Sequence, residues 1–507
     1  MNTVIDIEES YATRLLNLQL ITSLEERRIS PSSYDKGGET THDACLTSTR
    51  ASSALQQLQK IEGMITDVNS FVMYDLDALL VCVSNVFTGF STSSSSSSSI
   101  CGELEVEFLH SYAIKSGPVS FILQLLIDHG VGMEAASYGE LVQALRCGCP
   151  AERIVYDAPC KGLQELTYAL KQGVRVNVNS FNELEKIQSI MESKTPLLSC
   201  QEKERLREIG VGVRINPMVG TGSVAILSTA VSSSKFGIAL SPQNKIKIME
   251  CFQKLPYLRG IMVHVGSQGM SLQTLCEGVL SAVQLANLID KECHEKRIKF
   301  IDIGGGLSVN YDSDEVTPTF EMYRDAILTK IPDFYEQNSG RTIITEFGKS
   351  LVAKTAVVIS KVEDVIDTPD SIDNSFMHNR CIAIIHSGAD LFVRPAYCPD
   401  NFSHRFHLLD HEFKLVDKGT REDRALTFAG PLCFSGDVLM KDKIYPRPYI
   451  GEHACIMDAG ANTISMFSHH CSRASPKVIG FRSVGKKILG TCLREEETID
   501  SICKFWD

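Results

Sequence analysis

Lysine and arginine nowhere gather into a basic run in this sequence. The formal net charge is −12 over 507 residues. Nucleic acid and anionic membrane surfaces are bound through basic patches, so neither is expected as a partner. The 17 cysteines form no pair of CxxC motifs and no Cys/His cluster at metal-site spacing, although Cys147 and Cys149 are close, so no metal is expected. The N-terminus, MNTVIDIEESYAT, lacks the basic start and apolar stretch of a secretory signal. No run of about 18 apolar residues is present, and no membrane span is expected. Free thiols in a reducing cytoplasm are the expected setting.

What is present is material for a large core, since 43% of the residues are hydrophobic. The length exceeds one ordinary domain of roughly 100–200 residues, which implies two domains plus a tail or insertion. Residues 1–68 are mixed and polar, with weak helical patterning around Ala54–Ile65, and read as an N-terminal extension. Residues 69–104 open with FVMYDLDALLV, a strand leading into a helix, and contain the serine run at 91–99. That run is expected to be a disordered insertion.

Residues 105–350 are regular. Eight β-rich segments (VEFLHSYAI, VGMEAAS, RIVYDA, VRVNVNS, GVGVRINP, LRGIMVHVGS, KFIDIGGG and TIITEFG) alternate with helical stretches, many of which end in glycine. Count and length match a (β/α)8 barrel of roughly 250 residues. Residues 351–507 hold strand-like segments with few helices. VVISKVEDVI, CIAIIH, RFHLLD, EFKLVD, ALTFAGPLCFSGDVLM, ACIMDAG and KVIGF predict an all-β domain, sandwich-like or Greek-key.

Active sites of such barrels lie at the C-terminal ends of the strands. Those ends carry Lys115, Ser137, Asn179, Ser180, Arg214, His264, Ser267, Gly304–Gly306, Glu346 and Lys349. A lysine closing an apolar strand is a candidate nucleophile toward aldehydes if desolvation lowers its pKa; it is equally a lysine reaching solvent at the rim. Three glycines after the seventh strand suit an anion cradle or a tight turn. His264 suits stacking on a flat ring or a place in the core. Glu346 suits a heterocyclic nitrogen or a salt bridge. Together, an amine, a stacking imidazole, a phosphate turn and an acid for a ring nitrogen match pyridoxal 5'-phosphate part by part.

With these residues in place, the chain resembles the alanine-racemase-fold decarboxylases, the family of diaminopimelate and ornithine decarboxylases. YDLDAL, SYAIKSGP, EAASYGEL, RIVYDAPCK, VNSFNEL, RINP, SKFG, HVGSQ, IDIGGGL, EFGKSLVA, AGPLCFSGDVL and DAGANTISM fall in the family's order. The resemblance implies that Lys115 anchors pyridoxal phosphate covalently and that His264 stacks on it. It implies that Ser267, Gly304, Gly305 and Gly306, with Arg214, Lys349 and Asn462 nearby, hold the cofactor. Glu346 would pair with its ring nitrogen. Cys433 would return a proton after decarboxylation, entering from a partner subunit, so that a homodimer shares its active sites. Arg394 and Tyr397 fall where a small amino-acid substrate is bound.

The departures from the family pattern are specific. EPGR reads Glu346-Phe347-Gly348-Lys349, which exchanges a bidentate fork for a point charge. CES reads Cys433-Phe434-Ser435, and the acid that recognises a distal amine is gone. GAY reads Gly460-Ala461-Asn462, and RPAY is one residue shorter than the family's RPALY. Weak activity on diaminopimelate, ornithine or lysine is therefore expected, with a neutral, apolar or carboxylated distal end preferred. The alternatives are a catalytically reduced regulator of the same fold, a racemase, and a sugar-phosphate barrel enzyme.

Overall fold

The computed structural model describes residues 44–61, 63–65, 68–91, 106–193, 195–368 and 379–507. The serine run at 91–99 lies outside the described residues apart from Ser91, as does the first part of the 1–68 segment. The chain forms two compact units. One comprises Val83–Val309 and Thr317–Ser350; the other comprises the described part of Met1–Cys82, Asn310–Val316 and Leu351–Asp507.

The first unit is a closed barrel of eight parallel strands: Glu107–Ala113, Gly132–Ala135, Ile154–Tyr156, Arg175–Val178, Val211–Asn216, Leu258–Val263, Phe300–Asp302 and Thr342–Phe347. Their order around the barrel is their order in the chain. Thr342 aligns with both Phe300 and Glu107, which closes the ring. All eight segments expected as strands are barrel strands. Their apolar runs suit strands covered on both faces. A short ninth segment, Ile238–Ala239, pairs alongside the fifth strand.

Helices are set between strands by local capping. Ser137, Ser180, Ser199, Ser241 and Ser271 each accept a hydrogen bond from the backbone N–H three residues on, which satisfies a donor that the first helical turn leaves open. Gly173 closes Leu163–Gln172 in the left-handed region, at φ +80°. The longest helix, Leu272–Cys293, is long and apolar enough by length and composition to cross a membrane. Here Leu275, Val279, Val283 and Ile289 are buried on its barrel-facing side, against the sixth strand.

The second unit is a nine-stranded mixed sheet. Its path runs Val438–Pro446, Asp423–Ala429, Arg380–Ile385, Ala356–Thr368, Ser70–Asp75, Lys477–Val484 and Lys487–Arg494, with His453–Ile456 bridging Ala356–Thr368 to Phe406–Leu409. Several features differ from the sequence reading, among them the strand Lys487–Arg494, which no expected segment covers. The leading strand Ser70–Asp75 is central here, antiparallel to Ala356–Thr368 and parallel to Lys477–Val484. Residues 48–58, within the expected extension, form a helix that buries Leu55 and Leu58 in one core with Phe71, Met73, Ile359 and Phe481. EFKLVD is a turn in which the Asp410 side chain accepts from the N–H groups of Glu412 and Lys414, leaving only a Leu409–Leu415 bridge.

Leu58 is fully buried. Leu58→Ala is expected to destabilise the protein by about 2–5 kcal/mol in urea unfolding, the cost of a buried methyl-rich cavity. A change under about 0.5 kcal/mol, typical of surface sites, would show the helix to be a dispensable extension.

Candidate active site

Lys115 sits in a 3-10 turn, Ile114–Ser116, directly after the first barrel strand. Its Nζ donates to Glu134 Oε2 at 2.5 Å, and Glu134 is fully buried on the second strand. Oxygens of Glu134, Asp157 and Glu346 all lie within 4.8 Å of one another. Asp157, just beyond the third strand, accepts from Arg214 Nη1 at 2.6 Å. The Arg214 guanidinium in turn covers the Phe236 ring at 4.5 Å. Three acids and two cations therefore converge on one mouth of the barrel.

Electrostatics there run against one expectation. Burial does act to lower the Lys115 pKa, but the charges of Glu134 and Glu346 outweigh it, and the pKa is raised. Before any ligand enters, Lys115 is an ammonium held by acids rather than a desolvated amine. The pKa values of the buried acids are raised as well, which favours their neutral form. Burial pushes Glu134 up to about 7, with Lys115 opposing. Burial likewise pushes Asp302, on the seventh strand, up to about 7. Glu346, buried beside Asp302, Glu134 and Asp157, is raised well above the usual carboxylate range. Neither Glu346 oxygen has a hydrogen bond of good geometry among the described residues; its near neighbour is the Asp302 carboxyl. His264 is pushed well below its usual value by burial and by Arg214 and Lys115, so its imidazole is neutral.

The glycine turn is built against this cluster. Asp302 Oδ1 accepts from the Gly304 N–H at 2.9 Å, and Gly304 adopts φ +68°. A Cβ on Gly305 would lie 2.2 Å from the Glu346 carbonyl oxygen, so only glycine fits. Lys349 Nζ donates to Ser267 Oγ at 3.1 Å, tying the loops after the sixth and eighth strands together.

These residues fit pyridoxal phosphate. A buried acid without a hydrogen bond of good geometry awaits a protonated ring nitrogen; a Cβ-free cradle beside Lys349 and Ser267 suits a phosphate dianion; Lys115 suits an aldehyde.

Arg394, Tyr397, Cys433, Phe434 and Asn462 belong to the β unit. Phe434 stacks on Tyr397 with ring centroids 5.4 Å apart and planes 11° apart, and on His470 at 6.4 Å. Arg394 Nη1 donates to Asn462 Oδ1 at 2.9 Å and its guanidinium covers Phe402. Asn462 adopts a left-handed φ of +58°, which asparagine tolerates better than most residues. Cys433 is exposed.

Three strand-end candidates are structural. Ser137 and Ser180 cap helices, and Asn179 pins the Lys235 carbonyl and the Gly237 N–H. Glu134, Asp157, Asp302 and His470 were not anticipated. The signal for the first three is a lone acid within or ending an apolar strand (GMEAAS, RIVYDA, KFIDI), where a buried carboxylate is rare without a partner or a task.

A barrel whose strand ends gather an acid-held lysine, a neutral imidazole, a buried acid and a glycine cradle suits a lysine-anchored, phosphate-bearing cofactor enzyme. Residues 99–353 match the family model "Pyridoxal-dependent decarboxylase, pyridoxal binding domain", and the chain belongs to that family. It is 27% identical to the diaminopimelate decarboxylase of Methanocaldococcus jannaschii over 394 residues, covering 77% of this chain and 82% of that protein. It is 27% identical to that of Helicobacter pylori strain J99 over 398 residues, covering 78% and 88%. Among solved structures, Helicobacter pylori diaminopimelate decarboxylase complexed with L-lysine superposes with a TM-score of 0.68 at 24% identity, covering 87% of this chain and 97% of that one. The lysine/ornithine decarboxylase of Vibrio vulnificus complexed with putrescine superposes with a TM-score of 0.63 at 17% identity, covering 85% and 98%. The protein is a pyridoxal-phosphate-dependent amino-acid decarboxylase of divergent sequence.

The raised carboxyls make a pH prediction. Between the ordinary carboxylate range and about 7, these carboxyls hold protons in the folded apoprotein that the unfolded chain has released, so their contribution to stability falls as pH rises. The buried histidines His110, His264, His404 and His453, with lowered pKa values, act in the opposite sense over the same interval. The carboxyl contribution is therefore read as a difference. In urea unfolding from about pH 5 to pH 8, Glu346→Gln apoprotein is expected to lose less stability, or gain more, than the parent; an equal change in both proteins would contradict the assignment.

Proposed function

We propose that this decarboxylase acts on an α-amino acid whose distal end is a carboxylate or a neutral group rather than an ammonium. The observation that carries this is Phe434. Where the resembling enzymes place an acid for the distal amine, the residue after Cys433 is an aromatic ring stacked on Tyr397. An ammonium in that pocket would lose its counter-charge at a cost of about 2–5 kcal/mol. Arg394 supports the carboxylate alternative. Its hydrogen-bond partner is the neutral Asn462, and a guanidinium fork suits a carboxylate.

The cofactor, when bound, supplies the sink for the electron pair left as the Cα–carboxylate bond breaks. The chain's own residues do the rest. Lys115 Nζ anchors the cofactor, and Glu346 holds the proton on its ring nitrogen. His264 offers a neutral flat face. Gly304–Gly306, Ser267 and Lys349 hold the phosphate, while Arg214 pairs with Asp157 beside them. Cys433 Sγ delivers a proton to Cα. Cys433 and Phe434 serve the partner subunit's barrel in a homodimer with shared sites. The reading as a reduced regulator rests on Phe434 and Asn462; the retained Lys115, His264, Glu346 and Cys433 favour the enzyme.

The test is carbon dioxide release from a panel of acidic, neutral and basic amino acids. Acidic or neutral substrates are expected to be preferred, and efficient turnover of diaminopimelate would overturn the proposal. Phe434→Glu is expected to raise kcat/KM toward diaminopimelate or lysine by about tenfold or more, restoring the charge partner. Cys433→Ala is expected to lower kcat by about 10²–10⁴, the usual worth of a positioned proton donor, while leaving the visible absorbance of the bound cofactor intact. Lys115→Ala should abolish that absorbance.

A further inference from the structure

The barrel's opposite mouth carries a cavity of about 450 Å³. It lies at the N-terminal ends of the fourth, sixth, seventh and eighth strands, the far end from Lys115. Arg175, Arg207, Arg259 and Lys299 line it, with Phe300 beneath; Glu204 and Glu208 are its acids. Four cations against two carboxylates is a local positive excess in a chain whose acids outnumber its bases 62 to 50.

The cations are unevenly compensated. Arg207 pairs with Glu204 at 2.7 Å. Arg175, Arg259 and Lys299 form no ion pair within 4 Å among the described residues. Arg175 is the most constrained. Its Nη1 donates to the Glu152 carbonyl, and its guanidinium lies over Phe300 at 5.9 Å. Its Nε is buried with no hydrogen-bond partner. Burial lowers its pKa despite the more distant acids Glu107 and Glu152. Arg259 spends one weak bond, at 3.4 Å, on the Arg207 carbonyl.

The backbone makes room for this grouping. A Cβ on Gly210, at φ +85°, would lie 2.3 Å from Arg259 Cβ, and one on Gly260 would lie 2.1 Å from the Phe300 ring. Glycine at both positions lets Arg259 and Phe300 take their places around the cavity. Like charges brought together at a partly desolvated surface repel, and two guanidinium forks beside an ammonium match the oxygens of a phosphate or carboxylate group.

We propose that this cavity binds a small oxyanion ligand carrying at least two negative charges as phosphate or carboxylate groups, at a site separate from the catalytic mouth. The assignment is independent of the substrate proposed above, because none of these residues belongs to the catalytic cluster.

The experiment is calorimetric titration of the holoenzyme, whose catalytic phosphate cradle is already filled by cofactor. Inorganic phosphate, pyrophosphate and citrate are used separately at about 0.1 M salt, where non-specific attraction is screened beyond about 10 Å. Saturable binding of one equivalent is expected for at least one probe, with Kd below about 1 mM. The phosphate and citrate arms distinguish the two oxyanion chemistries. The double variant Arg259→Gln/Lys299→Gln should weaken binding about tenfold or more while keeping the cofactor absorbance and carbon dioxide release of the parent. Lys299→Gln alone, at an exposed position, carries the same test should the double variant not fold. Absence of saturable heat with all three probes, or an affinity unchanged by the substitutions, would overturn the proposal.

Discussion

Three carboxyl groups and a lysine meet at the C-terminal mouth of the barrel, and the rest of the site is arranged around their mutual repulsion and attraction. Glu134, Asp157 and Glu346 come from the second, third and eighth strands, and only closure of the barrel brings them within 4.8 Å of one another. Lys115 and Arg214 neutralise two of the three. The third, Glu346, is left to burial and to Asp302, and is kept protonated well above the usual range. A protonated ring nitrogen placed there supplies the charge that the cluster lacks. Ligands that bind only the folded state stabilise it by mass action, so cofactor affinity and barrel stability are linked through one carboxyl group.

The same cluster explains why the glycine turn has no latitude. Asp302 both raises Glu346 and accepts from the Gly304 N–H, so the residue that tunes the ring-nitrogen acid also shapes the phosphate loop. Gly305 packs against the Glu346 carbonyl, where a Cβ would collide. In the placement proposed above, the cofactor's phosphate end and ring-nitrogen end would thus be held by adjoining strands. A side chain at Gly305 would displace both.

Much of this was legible in the sequence, and what was not has a common cause. The barrel strands are apolar runs broken by capping serines and terminal glycines, signals that act within a few residues. Lys115, His264, Gly304–Gly306 and Glu346 follow from one topological rule about strand ends. The direction of the Lys115 pKa was not legible, because it depends on Glu134 and Glu346 in other strands. The place of Ser70–Asp75 was hidden for the same reason: its partners lie near residues 360 and 480. Lys487–Arg494 was missed because only Thr491 and Leu493 are buried along it, too sparse an alternation to mark a strand. The helix at 48–58 was masked by its polar glutamines and serines, although Leu55 and Leu58 enter the core.

The distribution of the departures bears on what the protein does. Within the barrel, the groups that the family resemblance assigns to the cofactor are present, and the one exchange, Lys349 in place of the expected arginine, still contacts Ser267. The changes that alter character, Phe434 and Asn462, fall in the β unit, on the residues associated with the substrate's distal end and with Arg394. A chain released from catalysis would have no reason to keep Glu346 buried without a hydrogen bond of good geometry, because an unmatched interior carboxyl costs stability unless something pairs with it. Retaining that cost while replacing an acid by a stacked ring is the pattern expected when the reaction is kept and the substrate is changed. Arg394 sharpens the direction of that change. In the function proposed above, with no acid after Cys433 and a guanidinium held by a neutral asparagine, the β unit would favour a carboxylate over an ammonium at the substrate's distal end.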